Sequence, residues 1–227
     1  MSTMQDLGEE VPRSQKLSQA QRLYRAIRSD ILSAGLRPGS VVVESEIARA
    51  HGVSKTPVRE ALQMLVVEGL ISLLPQRGYL VRTMGFTEIR DVMELRLIIE
   101  PPLIAAAARN VTPELVQAMR QRLQEQFSEN STLKDWTDAA REFHMIAVRA
   151  SKNERAVGLV SGLFDETTRM HHLLPQAVNH LRSSEEHDAH LAILHAIESG
   201  DPEAASEAMT AHLRESNETL LKAFYTR

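Results

Sequence analysis

Gly52-Val53-Ser54-Lys55-Thr56-Pro57-Val58-Arg59-Glu60-Ala61-Leu62-Gln63 is the stretch on which the reading of this chain turns. Gly52 suits the left-handed cap that ends one short helix, and Ser54 with Pro57 in the first turn starts the next. That next helix is expected to run from about Thr56 to Glu68, where Gly69 stops it. Val58, Ala61, Leu62, Leu65 and Val66 make one apolar stripe, and Lys55, Thr56, Arg59 and Gln63 stand off it. A helix that buries one stripe and gathers donors at its N-terminal end is suited to the major groove of duplex DNA. The helix dipole adds positive potential at that end. Arg59 can reach a guanine edge with two hydrogen bonds, whereas Ser54 and Thr56 suit phosphates or single bonds to bases.

Upstream, Leu23, Ile27, Ile31 and Leu32 recur at helical steps until Leu36-Arg37-Pro38-Gly39 imposes a turn. Val41-Val42-Val43 reads as a small strand, and Glu44 to Ala50 as a second short helix ending at His51-Gly52. Downstream, Leu70 to Leu74 and Gly78 to Val81 flank Pro75-Gln76-Arg77-Gly78 as a hairpin. Helix, turn, helix and hairpin in this order make a winged helix-turn-helix. Arg77 and Gly78 at the hairpin tip can enter the minor groove, where Gly78 allows close backbone approach. This unit is expected over residues 17–83, after a flexible tail at 1–16 and before a linker at 84–86.

From Thr87 to the end the pattern is helical throughout, so residues 87–227 are expected to form an all-α bundle. Thr87 is expected to cap a long helix with Val92, Leu95, Ile99 and Leu103 inward and a kink at Pro101-Pro102. Thr112-Pro113-Glu114 opens another helix. Further helices are expected from Trp136 to Ala150, Glu154 to Leu173, near Val178, Glu185 to Glu198 and Pro202 to Tyr225.

Charge follows the same division. Arg13 to Arg82 carries 11 basic residues against five acidic, whereas Thr83 onward carries 15 against 22. A polyanion-binding module joined to one with a different task accounts for this asymmetry. The chain has 227 residues and no cysteine, which removes disulfides and thiol chemistry and agrees with a reducing cytoplasm. No stretch reaches the roughly 20 apolar residues of a membrane span, and no secretory signal core opens the chain. An aromatic content of 4% disfavours a base-stacking surface for single strands.

Eight of the nine histidines lie between His144 and His212. His144 shares a helix face with Ala140, Ala147 and Val148, His190 with Ile193, Leu194 and Ile197, and His212 with Ala205, Met209 and Leu213. Three imidazoles pointing from apolar faces into one bundle suit a divalent metal such as zinc. Arg96, four residues before Glu100, reads either as an intrahelical ion pair or as a clamp for a carboxylate ligand. Asp165, Arg169 and His172 share a face, and Arg169 and His172 are further candidates for lining an effector cavity.

Leu36-Arg37-Pro38-Gly39, Glu46-Ile47-Ala48, the stretch from Gly52 to Leu62, Glu68-Gly69-Leu70 and Arg77-Gly78-Tyr79 resemble the DNA-binding domain of GntR-family bacterial transcription regulators. The resemblance implies that Ser54, Lys55, Thr56, Arg59 and Gly78 contact operator DNA; Ser45 stands where relatives often carry an arginine. Glu94-Leu95-Arg96, Glu100-Pro101, Phe143-His144, the run from His190 to Pro202 and Ala211-His212-Leu213 resemble the helical effector domain of the FadR subfamily. That resemblance implies a metal held by one Asp and three His, with a small carboxylate on the metal. His144, His190 and His212 match, but the Asp position is Ala140. Asp138 and Glu142 fit poorly, at about 120° and about 200° round the helix from His144. The expected site therefore has three histidines, with water or the effector completing the shell. A metal-free cavity whose histidines bind the ligand directly is the other reading.

The function expected is a ligand-responsive regulator, most often a repressor, that binds palindromic double-stranded operator DNA as a homodimer and senses a small organic acid. It is expected not to be an enzyme. The alternative is a three-histidine metal hydrolase with a DNA-binding appendage, although no His-Glu-x-x-His pattern supports it.

Overall fold

The computed structural model describes residues 17–128 and 131–225. The tail expected over residues 1–16 lies outside the described residues. The first helix, α1 (Gln19–Leu32), starts at Ser18 through a reciprocal cap. Ser18 Oγ accepts from the Gln21 amide at 3.1 Å, and the Ser18 amide donates to Gln21 Oε1 at 2.8 Å. Its inward stripe is Leu23, Ile27 and Ile31. β1 (Val41–Val42), α2 (Glu44–Ala50) and α3 (Lys55–Glu68) follow, then the wing strands β2 (Ile71–Leu74) and β3 (Gly78–Val81). Val58, Ala61, Leu62 and Leu65 of α3 close a core with α1, Val42, Ile71 and Val81.

The sheet adds one relation the sequence reading lacks. β1 pairs antiparallel with β3, Val41 opposite Leu80 and Val42 opposite Tyr79, so the order is β1-β3-β2. This gives Gly78 a reason internal to the protein. Its φ is +117°, and a Cβ there would lie 2.4 Å from the Val42 carbonyl oxygen.

Among the described residues, seven helices form the rest: α4 (Phe86–Arg109), α5 (Pro113–Gln126), α6 (Leu133–Ala150), α7 (Glu154–Leu173), the short α8 (Pro175–Val178), α9 (Ser184–Glu198) and α10 (Pro202–Tyr225). A 3-10 turn, His180–Arg182, precedes α9. Phe86, expected in the linker, already belongs to α4, and the cap is Gly85, whose amide donates to Glu88 Oε2 at 3.0 Å, rather than Thr87. α4 does not stop at Pro101-Pro102, and it packs along α10. Its inward line is Ile89, Met93, Arg96, Glu100, Leu103 and Ile104, which differs from the apolar stripe read from the sequence: Leu95 is 46% exposed. The register differs because an ion pair, Arg96–Glu100, takes two of the inward positions.

The two units meet through charge. Arg28 of α1 and Arg141 of α6 both donate to Asp165 of α7, and Arg28 also reaches Glu68 of α3 at 2.7 Å. Arg169 donates to the Arg82 carbonyl at the end of the wing.

Candidate functional site

At the N-terminal end of α3, Ser54 is the N-cap but makes no side-chain capping bond. Ser54, Lys55, Thr56, Arg59 and Gln63 are all exposed along one side of α3, and Arg77 is exposed at the wing tip. Arg59 is held rather than loose. Its Nε and Nη2 donate to the two carboxylate oxygens of Glu44, each at 2.9 Å, and Tyr79 steadies Glu44 from the wing at 3.2 Å. The Arg59 guanidinium keeps the Glu44 carboxyl below the usual carboxylate range. The guanidinium so paired stays more than half exposed.

Within the bundle, α6, α9 and α10 bring His144, His190 and His212 together, all buried, with one ligand atom of each within 4.8 Å of the others. Tautomers follow from the neighbours. His144 Nδ1 lies 2.6 Å from Glu100 Oε2, and burial alone would raise that carboxyl. The Arg96 guanidinium and then His144 reverse the effect and hold it at about 2. An ionised Glu100 can only accept, so His144 Nδ1 carries the proton. Gln126 Nε2 donates to the Leu181 carbonyl at 3.1 Å, so its Oε1, 3.0 Å from His190 Nδ1, must accept as well. His190 Nε2 is then left as an acceptor, and it faces His144 Nε2 at 3.2 Å. Burial holds His190 well below the ordinary histidine range and His212 at about 4, so neither acts as a proton source near neutrality. Converging imidazoles, two of them with a hydrogen-bonded outer nitrogen, are the donor set a transition metal takes. The residues fit such an ion.

A cavity of about 40 Å³ adjoins this cluster. Arg96 lines it, stacked over the Phe164 ring at 4.2 Å while its Nε pairs with Glu100 at 2.6 Å, so the ion-pair reading of Arg96 holds and the guanidinium also borders the cavity. Arg141 and the hydroxyls of Thr167, Ser216 and Thr219 add polar groups to the wall. Arg169 and His172 are elsewhere. Arg169 turns to the wing through the Arg82 carbonyl, and His172 lines a separate cleft of about 550 Å³ between the units, with Arg25, Arg28 and Arg141. On a helix of 20 residues, a shared face near one end does not ensure a shared cavity.

Sequence reasoning missed Glu100 as the partner of His144, Gln126 as the partner of His190, and Glu186. Glu186 is buried one helical turn before His190, with carboxylate oxygens 3.5 Å from both His190 Nε2 and His212 Nδ1. The four-residue step from Glu186 to His190 was a readable signal, but only along α9, not along α6.

Comparison with known proteins places both units. The family model for bacterial regulatory proteins of the gntR family matches residues 19–81, and that for the FCD domain matches residues 91–215. The HTH-type transcriptional repressor RspR of Escherichia coli (strain K12) is 29% identical over 203 residues, covering 88% of each chain. The HTH-type transcriptional repressor GlaR of the same organism is 27% identical over 198 residues, covering 84% of this chain and 90% of that one. E. coli McbR/YncC has the same fold, with a TM-score of 0.78 at 21% identity over 92% of this chain and all of the other. RspR and GlaR are named as transcriptional repressors, and nothing in these matches supports the hydrolase alternative. With the FCD match alone spanning more than half of the chain, the protein belongs to the GntR family of bacterial regulatory proteins, as a ligand-responsive DNA-binding transcriptional regulator with an FCD effector domain.

Proposed function

We propose that the protein is a homodimeric repressor that binds a palindromic operator and answers to a small carboxylate bound beside a divalent metal, zinc by ligand type. His144, His190 and His212 would hold the ion, which would supply a Lewis-acidic anchor for the effector. The observation that carries this reading is the convergence of three buried imidazoles, with His144 Nε2 and His190 Nε2 only 3.2 Å apart. Two ring nitrogens this close share either a proton or a cation, and a third imidazole beside them favours the metal. Arg96, whose Nη1 also donates to Thr167 Oγ1 at 3.5 Å, borders the cavity and would offer its guanidinium to the effector carboxylate. The cavity, about 40 Å³, is small, which favours a short acid over a bulky one.

On the DNA side, Ser54, Lys55, Thr56, Arg59 and Gln63 would enter the major groove, with Arg77 and Gly78 at the minor groove or its phosphates. One recognition helix reads only a few base pairs, so two copies are needed for operator-level specificity. Exposed Leu95 and Ile98 on α4 and Leu159 on α7, with Gly158 and Gly162 of α7 facing open space, support a helical face where a second copy packs. Two exposed glycines inside a helix disfavour it by roughly 1 kcal/mol each unless close packing uses them.

Fluorescence anisotropy on duplex fragments from the protein's own genomic neighbourhood tests the reading. Binding should weaken steeply with salt, and Arg59→Ala should reduce affinity about 5- to 100-fold, the loss expected of one bidentate base contact. Small carboxylates should shift the curve only in metal-loaded protein. Binding indifferent to Arg59→Ala would remove α3 from the groove, and carboxylate responses unchanged by chelator would remove the metal.

A further inference from the structure

Two buried carboxylates border the histidine cluster, and their oxygens are committed differently. Glu100 uses both: Oε1 accepts from Arg96 Nε at 2.6 Å and Oε2 takes His144 Nδ1 at 2.6 Å. Glu186 uses neither fully. Its Oε2 is buried and meets no well-formed hydrogen bond; its nearest neighbour is His180 Nε2, an ion-pair partner 3.1 Å away that its charge holds protonated more strongly than usual. Its Oε1 is 3.5 Å from His190 Nε2, and Oε2 is 3.5 Å from His212 Nδ1. Donors about 2.1 Å from one ion in a tetrahedral shell are separated by about 3.4 Å. The 3.2 Å between His144 Nε2 and His190 Nε2 is close to that edge; Glu186 lies 3.5 Å from His190 Nε2 through Oε1 and 3.5 Å from His212 Nδ1 through Oε2, so one of its oxygens has to turn towards the ion to join the three histidines.

We propose that Glu186 is the fourth protein ligand of this site, supplied by α9 one turn before His190, with Glu100 remaining the outer partner that orients His144. This deepens the metal reading given above and rests on it. Three neutral imidazoles leave the full double charge on a divalent ion, whereas Glu186 halves it. The ion then holds an anionic effector less tightly, and the effector and Glu186 compete for the same charge. His180, in the turn that closes the cavity, keeps or loses its ion-pair partner according to which of the two carboxylates the ion takes.

The test uses the full chain stripped with chelator and titrated with Co²⁺, read by the visible d–d bands and by metal analysis after desalting. His144→Ala should abolish uptake. Glu186→Gln should weaken Co²⁺ binding by roughly tenfold or more, at least the loss typical of an outer-shell partner, and change band position and intensity. Far-UV circular dichroism of the stripped variant checks that it is folded. If it is not, Glu186→Asp, which keeps the charge but withdraws the carboxylate, should show the same weakening and altered bands. Wild-type affinity and unchanged bands in both Glu186 variants, with His144→Ala inactive in uptake, would overturn the ligand role and leave the three-histidine site standing. No Co²⁺ uptake by the unmutated chain would overturn both.

Discussion

A histidine taken out of water resists its second proton, and His171 and His212 are both held down to about 4 mainly by burial. The unfolded chain binds protons at these residues near the ordinary histidine value of 6.5, so between about 6.5 and 4 it holds more protons than the native state. Stability therefore falls as pH drops through that window and the histidine contribution levels off below it. Each group contributes on the order of 3 kcal/mol across its full window, at 1.36 kcal/mol per pH unit. Glu100 works in the opposite sense: its folded carboxyl sits at about 2, so its contribution is kept above 4.5 and lost only below. Urea midpoints of metal-free protein should drop between pH 7 and 5, and His171→Gln, which removes one of the buried bases, should flatten the slope. A midpoint constant over that range would contradict the neutral buried histidines. These partners were illegible in the sequence. His144, His190 and His212 announce themselves by apolar faces, but Glu100 and Gln126 reach them from α4 and α5, which no spacing links to α6 or α9.

At the scale of elements, the wing is where local reading came closest and still lacked a cause. The hairpin residues, the turn at Pro75 to Gly78 and the ends of α2 and α3 are all legible from turn and cap chemistry. The pairing of β1 with β3 is not, because a two-residue strand has too little pattern to name its partner. Gly78→Ala should therefore act on the fold before it acts on DNA. A Cβ 2.4 Å from the Val42 carbonyl at φ +117° should remove about 1–3 kcal/mol of stability, visible as a lower thermal midpoint without DNA. An unchanged midpoint would return Gly78 to a role in the groove alone. α4 offers the converse lesson. Its helix is obvious, but its inward face is shifted because the buried Arg96–Glu100 pair satisfies itself, whereas Leu95 and Ile98 face outward. Hydrophobic periodicity assumes that charge stays in water.

Across the whole molecule, Asp165 is the charge that joins the DNA-reading unit to the effector unit. Arg28 and Arg141 both depend on it, and Arg141 also lines the cavity beside the histidines. A ligand that draws on Arg141 can thus change the hold on Arg28, which in turn reaches Glu68 at the end of α3. Asp165→Ala leaves two guanidinium groups facing each other without their carboxylate, so it should loosen the junction by roughly 1–3 kcal/mol. The expected signs are faster proteolysis within the connection at residues 82–85 and an operator affinity less responsive to effector. Equal proteolysis and an unaltered effector response would dismiss Asp165 as the link.

The sequence by itself determined what depends on neighbours along the chain: a winged helix-turn-helix followed by helices, the exposed donors of α3, and three histidines on apolar faces. Helix periods, caps and turns act over a few residues, so they are written locally. Only the tertiary structure decided which carboxylate meets which histidine, that Arg169 and His172 lie apart from the cavity, and that one aspartate ties the two units together. Those facts depend on where separate helices cross, and crossing is set by packing between elements distant in sequence, which carries no period of its own to read.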